Sequence, residues 1–315
     1  MSKSSFTPSF LIPSTSLTHG TRDVLSEEDW ARLQHPDDKA AIAAMENLPG
    51  FSMLMKTVLT GVYEKFAYGI NMGSALRLGP AQLPEYYNLL PPVCEKLGLR
   101  EIPEFYLKQD PTPNAWTSGE QRVYITMTSG LMQLLTPEDI QTVLAHECGH
   151  ILFKHVRYSM LAQTLSTGLE LIPIAGTLIS AGLKPLMCRW MRMAELSCDR
   201  AGLLWTGNLK KSVRVSVCLA AGSAALVENF NHETYLAQAE ECENILHADG
   251  FDGLLQKYTL WDMTHPFAAS RAHHLAKFYQ TSLYKNTVRR MGTYCCPTCG
   301  CAMRTENICV NGHFV

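Results

Sequence analysis

The chain has 315 residues, 46% of them hydrophobic, enough for one large core and an appendage. A formal charge of -2 and the absence of a long basic run exclude a bulk electrostatic partner, so no nucleic-acid partner is expected. Of eleven cysteines, six stand singly through the body and five crowd the last 21 residues, and the N-terminus is a poor secretion signal; reduced thiols in the cytoplasm are the consistent reading.

Residues 1–22 are rich in Ser, Thr and Pro and read as a loosely ordered segment. A helical pattern runs from Glu27 to Gly69 with a break at Gly50. "ALRLG" then reads as a short strand, and "PEYYNLLPPVCEKLGL" as a helical run that Pro91 and Pro92 kink or restart. Strands are predicted at "EFYLK" (104–108) and "RVYITMT" (122–128), joined by the turn-forming link "QDPTPNAWTSGEQ". From Gly130 to about residue 288 the pattern is almost wholly helical, which makes the class α+β and mostly α. The longest apolar stretch, residues 160–183, is interrupted by Gln163, Glu170 and Pro173 and falls short of the roughly 18 apolar residues of a spanning helix. It reads as a buried or interfacial hairpin; a bilayer-surface position, with the protein peripheral at the inner membrane surface, is the alternative.

The chemistry concentrates in "TPEDIQTVLAHECGHILFKHV" (136–156). Thr136 is an N-cap, Pro137 opens the first turn, and Glu138 and Asp139 complement the positive helix end. Ile140, Val143, Leu144, Cys148, Ile151 and Leu152 recur at helical spacing as one apolar stripe. His146 and His150 therefore project from one face, one turn apart, where both imidazoles can reach a single zinc ion. Glu147 falls within the apolar stripe, where a carboxylate is costly unless used; in an HExxH site it takes a proton from water. The competing reading is two core histidines and a stray glutamate. The metzincin continuation HExxHxxGxxH is excluded, because Phe153 stands where the glycine would be, and His155 reads as an ordinary flanking residue.

A third ligand is offered by "MRMAELSCDRAGLLW" (191–205). Glu195 and Asp199 lie one turn apart, and Ala194, Ser197, Cys198, Ala201 and Gly202 are small enough to admit a neighbouring helix. Glu195 would complete a His/His/Glu set, while Asp199 would accept the outer N–H of a ligand imidazole. The alternative is a solvated acidic pair with Asp199 bonded to Arg200.

Together "PNAW", "SGL" at 129–131, "EDIQTVLAHECGHILFKH", "AELSCDRAG" and "THPFAASRAHHL" resemble, in order, the HtpX-like and CAAX-prenyl-endopeptidase-like zinc metallopeptidases over about residues 70–280. That resemblance implies a gluzincin-type endopeptidase acting on protein or peptide substrates, with a zincin-like core and a small sheet edging the cleft. It carries the ligand role to His146, His150 and Glu195, the base to Glu147, and the orienting carboxylate to Asp199. His265 and Arg271 match "HPxxxxR" and would stabilise an oxyanion; for His265 a plain helix-start role is the alternative. Asn114 and Ala115 would contact substrate backbone, and the strand holding Tyr124 would be the edge along which the peptide aligns. HtpX-type members carry clear transmembrane helices and this chain carries no convincing ones, so it resembles the soluble members.

The tail reads as a separate module over 291–315, leaving a metallopeptidase domain over 23–290. Cys296, Cys299, Cys309 and His313 suit a closed tetrahedral structural zinc site, a zinc ribbon whose folding energy the metal would supply. A disordered, redox-reactive tail is the alternative. Two zinc ions per chain are thus expected, and the ribbon could dock a partner protein. The contrasting function is a metal-bound scaffold or adaptor in which proteolysis is latent or absent.

Overall fold

The computed structural model describes residues 25–58, 62–166, 182–247 and 267–292. The N-terminal segment, the middle of the apolar stretch, His265 and the cysteine-rich tail lie outside them. The described chain is mostly helical with a mixed four-stranded sheet.

Helices α1 (Glu27–Leu33), α2 (Pro36–Glu46), α3 (Phe51–Val58) and α4 (Val62–Ser74) lead into strand β1 (Ala75–Arg77). Ser26 caps α1 through a reciprocal box with Asp29, and Pro36 opens α2. Short α5 (Pro84–Tyr87) precedes α6 (Leu90–Leu97), whose two prolines sit in its first turn, where no helical N–H is lost. The restart expected at Pro91 and Pro92 is therefore where the helix begins.

Three further strands complete the sheet: β2 (Glu104–Lys108), β3 (Ala115–Ser118) and β4 (Tyr124–Thr128), in the order β1-β2-β4-β3. β2 and β4 run parallel, and the other two pairs are antiparallel. The β3–β4 hairpin turns at Gly119 with φ +84, and Glu64 accepts hydrogen bonds from the backbone N–H groups of Glu120, Gln121 and Arg122. Two expectations are corrected here. The link after β2 contains a strand, and β4 is an inner strand paired on both sides; β3 is the edge.

After α7 (Ser129–Leu134) comes α8 (Pro137–Leu152), capped by a reciprocal box between Thr136 and Asp139. It buries Ile140, Val143, Leu144 and Cys148 as its stripe predicts, each large aliphatic side chain contributing about 1.5–3 kcal/mol. α9 (Val156–Ser166) follows, then the 24-residue α10 (Leu183–Thr206), α11 (Leu209–Ala221), α12 (His232–Leu246), α13 (Ala268–Gln280) and α14 (Ser282–Arg290).

α8 and α10 pack face to face because small residues meet. A Cβ on Gly149 would stand 3.1 Å from both the Cβ of Ala201 and the Cα of Cys198, so glycine sets this approach. The main core gathers α6, β2, β4, α8, the C-terminal half of α10 and α11. A second cluster joins α2, α3 and α9 to the N-terminal half of α10 through Met45, Leu54, Leu161 and Trp190. Among the described residues no helix is long and apolar enough to cross a membrane.

Candidate metal centre

The close approach of α8 and α10 brings Glu195 beneath both motif histidines. Its Oε2 lies 3.4 Å from His146 Nε2 and its Oε1 3.6 Å from His150 Nε2. Donors each about 2.0–2.2 Å from one zinc ion at a tetrahedral angle stand about 3.4 Å apart, so the His–Glu spacings fit a shared cation.

On the far side of His146, Nδ1 lies 3.1 Å from Asp199 Oδ1. The carboxylate leaves Nε2 to face Glu195, the tautomer a metal ligand needs. Arg271, from α13, donates through Nε to Asp199 Oδ2 at 2.8 Å and through Nη2 to Asp199 Oδ1, while its Nη1 stands 3.1 Å from Glu195 Oε2. Its guanidinium is thus engaged by the two carboxylates it sets in place.

The electrostatics of the cluster follow from these contacts. Burial alone would raise the Glu195 carboxyl, yet His146 and Arg271 hold it well below the carboxylate range. Asp199 falls to about 2 because Arg271 and His146 outweigh its burial. Burial would lower His146, but Glu195 and Asp199 raise it to about 10. The cluster therefore demands positive charge where His146 meets Glu195, and a divalent cation meets that demand in place of the proton.

Cys198 also lies close: donor atoms of His146, His150 and Cys198 fall within 4.8 Å of one another. Burial, then the neighbouring carboxylates, push its thiol well above the usual range. A metal takes the thiolate, so this thiol is a poor third donor beside an ionised Glu195.

Glu147 is buried, and Thr117 on β3 donates to its Oε2 at 2.7 Å and to its backbone carbonyl at 3.1 Å. The hydroxyl fixes the orientation of the carboxylate, which faces the same cavity as the histidines. A cavity of about 1090 Å³ opens here, its wall including His146, Glu147, His150, Glu195, Asp199 and Arg271. The edge strand β3 forms one side, with Asn114, Ala115, Trp116 and Thr117 all lining the cavity. Met187, Met191, Val215 and Leu219 make much of the rest apolar.

Asn114 is exposed at the rim, its Oδ1 accepting from the backbone N–H of Ala115 at 2.9 Å. Tyr124 departs from expectation: it is buried against Tyr68 and Tyr106, ring centroids 5.8 Å apart in each case, because the inner strand β4 gives the cavity to β3. His155 is no ordinary flank. It is fully buried, with Nε2 2.9 Å from Asp38 Oδ2 and Nδ1 3.4 Å from His150 Nδ1. Asp38 was invisible from sequence, since an acid in the first turn of α2 already has a local explanation.

Residues 88–278 match the profile of Peptidase family M48. The Plastoglobule-localized metallopeptidase 48, chloroplastic, of Arabidopsis thaliana is 30% identical over 260 residues, covering 82% of this chain and 75% of that relative. Protease HtpX of Legionella pneumophila is 25% identical over 260 residues, 72% of this chain and 89% of the relative. Among solved structures, Ste24p of S. mikatae aligns with a TM-score of 0.43 and 14% identity, over 75% of this chain; the chain spans 60% of that one's length. A profile match across more than half the chain, centred on the helices that carry the paired histidines and Glu195, places this protein in peptidase family M48, as a metalloprotease that hydrolyses peptide bonds.

Proposed function

We propose that the chain is a zinc-dependent endopeptidase whose ion is held by His146, His150 and Glu195. The observation that carries this reading is the Glu195 carboxylate spanning both Nε2 atoms at 3.4 and 3.6 Å. A cation there would supply Lewis-acid polarisation of a scissile carbonyl and of the attacking water. Glu147, steadied by Thr117, takes the proton from that water and returns it to the leaving amine. Asp199 holds the His146 tautomer, and Arg271 holds both carboxylates at the edge where an oxyanion develops.

Substrate is an extended peptide that adds to the outer edge of β3, which pairs with no further strand among the described residues, with Asn114 and Ala115 at the rim. The apolar wall from Met187 to Leu219 favours unfolded segments with hydrophobic residues flanking the scissile bond and excludes bulk water from the reacting centre. The tail adds a structural zinc on Cys296, Cys299, Cys309 and His313.

The test is Glu147→Gln, which keeps shape and removes the base. Cleavage of an unfolded casein-like protein should fall by about 10²–10⁴-fold while the zinc content stays at the wild-type value. Unchanged cleavage would refute the peptidase mechanism and favour the adaptor.

A further inference from the structure

His146 has an evident orienting partner in Asp199; His150 is held from the opposite side by residues outside both motifs. His155 sits just beyond α8, where Lys154 adopts φ 61 and the backbone N–H of His155 donates to the carbonyl of His150 at 2.8 Å. This turn folds the His155 ring back against His150, with ring centroids 5.4 Å apart. Its Nδ1 lies 3.4 Å from His150 Nδ1 and 3.6 Å from Cys198 Sγ, and its Nε2 lies 2.9 Å from Asp38 Oδ2.

Hydrogen positions follow from the partners of Asp38. This carboxylate is fully buried and receives Gln34 Nε2 at 2.8 Å, Trp190 Nε1 at 3.1 Å and Ser197 Oγ at 2.6 Å. The Ser197 hydroxyl in turn accepts the backbone N–H of His35 at 2.9 Å, which commits its proton to Asp38. Trp190 can only donate. The His155 ring is fully buried, with a carboxylate oxygen at one nitrogen and a second imidazole at the other, an arrangement that a ring with one proton satisfies. An ionised carboxylate only accepts, so that proton is on Nε2, and the lone pair on Nδ1 faces His150.

We propose that Asp38 and His155 form a positioning relay that fixes His150 with its proton on Nδ1, so that its Nε2 lone pair points at the metal position beside Glu195. The proposal rests on the ligand set assigned above. The relay runs from Asp38 on α2, through His155, to His150 on α8, and it mirrors the contact from Asp199 to His146. It gives α2, none of whose residues lines the cavity, a role in metal binding. Neither Asp38 nor His155 touches substrate; both act through His150.

Asp38→Asn is close to isosteric and weakens the relay. An amide offers one acceptor oxygen where Asp38 offers two to its four donors, Gln34, Trp190, Ser197 and His155, and it carries no charge; the hold on the His155 proton loosens, and the His150 proton is free to move onto Nε2, where it blocks the metal. Full-length protein stripped of metal is titrated with zinc against a chromophoric chelator, and the binding step abolished by His146→Ala identifies this site. In Asp38→Asn the affinity of that step should fall by about 10–100-fold. The circular dichroism and melting temperature of the metal-free protein should stay at wild-type values. Cys198→Ala, which removes the competing S–H donor, should leave the affinity within about twofold of wild type.

Long-range proton–nitrogen spectra of the metal-free wild type provide a measurement that needs no variant: His155 should be protonated at Nε2 and His150 at Nδ1. Unchanged zinc affinity in a folded Asp38→Asn protein, an equal loss in Cys198→Ala, or His150 protonated at Nε2 in the wild type would each overturn the relay. A wild type lacking the zinc step would instead refute the ligand set, an outcome the His150 and His155 tautomers report separately.

Discussion

The raised pKa of His146 makes zinc binding a competition with a proton, and its size follows from the site. Metal-free His146 holds its proton up to about pH 10, against an ordinary value of 6.5, because Glu195 and Asp199 flank it. Zinc must displace that proton, so at pH 7 the apparent affinity stands about 10³-fold, or about 4 kcal/mol, below its high-pH limit. Between pH 7 and pH 9 it should rise about tenfold per unit. The sign for stability is the opposite. A folded pKa raised above the unfolded one stabilises the metal-free protein fully below pH 6.5, a benefit lost as pH rises through about 10. The bound form lacks that dependence, so the gap in melting temperature between zinc-loaded and metal-free protein should widen from pH 7 to pH 9. Chelator competition at each pH, corrected for the chelator's own protonation, measures the first effect and calorimetry the second. An affinity that changes by less than about threefold across this range would show that no proton sits between His146 and Glu195, and the electrostatic account of the site would fail.

Two further outcomes follow from single contacts. Thr117→Val removes the hydroxyl that donates to Glu147 and keeps its shape, so kcat should fall about 3–10-fold with zinc affinity unchanged in a chelator titration. Removal of residues 294–315 should lower the zinc content measured by atomic emission from two ions per chain to one, and retention of both would reassign the tail cysteines.

The parts of the site legible in the sequence are those whose cause is local. The α8 helix announces itself through the Thr136 cap, the acidic first turn and the apolar stripe, all within one segment. Glu195 and Asp199 are readable because one helical turn separates them and small residues flank them. Strand β3 was hidden in a run of turn formers, since its four residues become a strand through pairing with β4, as in Trp116 opposite Thr126. The resemblance assigns the cleft edge to the strand of Tyr124, and with β3 overlooked nothing in the sequence shows that this strand has a partner on each side. The relay residues were illegible for a different reason. Asp38 meets His155 and Ser197 across separations of 117 and 159 residues, and no periodicity records a contact at that range.

The two imidazoles are held by unlike partners, and the difference has a structural consequence. Asp199 shares its charge with Arg271, so the His146 side is an ion pair anchored by α13. Asp38 instead receives neutral donors from Gln34, Trp190, Ser197 and His155, which makes it an acceptor of fixed geometry. Charge on the first side sets how strongly the site attracts a cation; hydrogen-bond direction on the second sets where the His150 lone pair points. Trp190 belongs to the second apolar cluster, where it packs with α2, α3 and α9, so the direction of His150 is tied to a part of the core separate from the one that carries the sheet. A cavity-forming change in that cluster, remote from the cleft, would act on metal binding through Asp38 before it acted on the peptide-binding edge at β3.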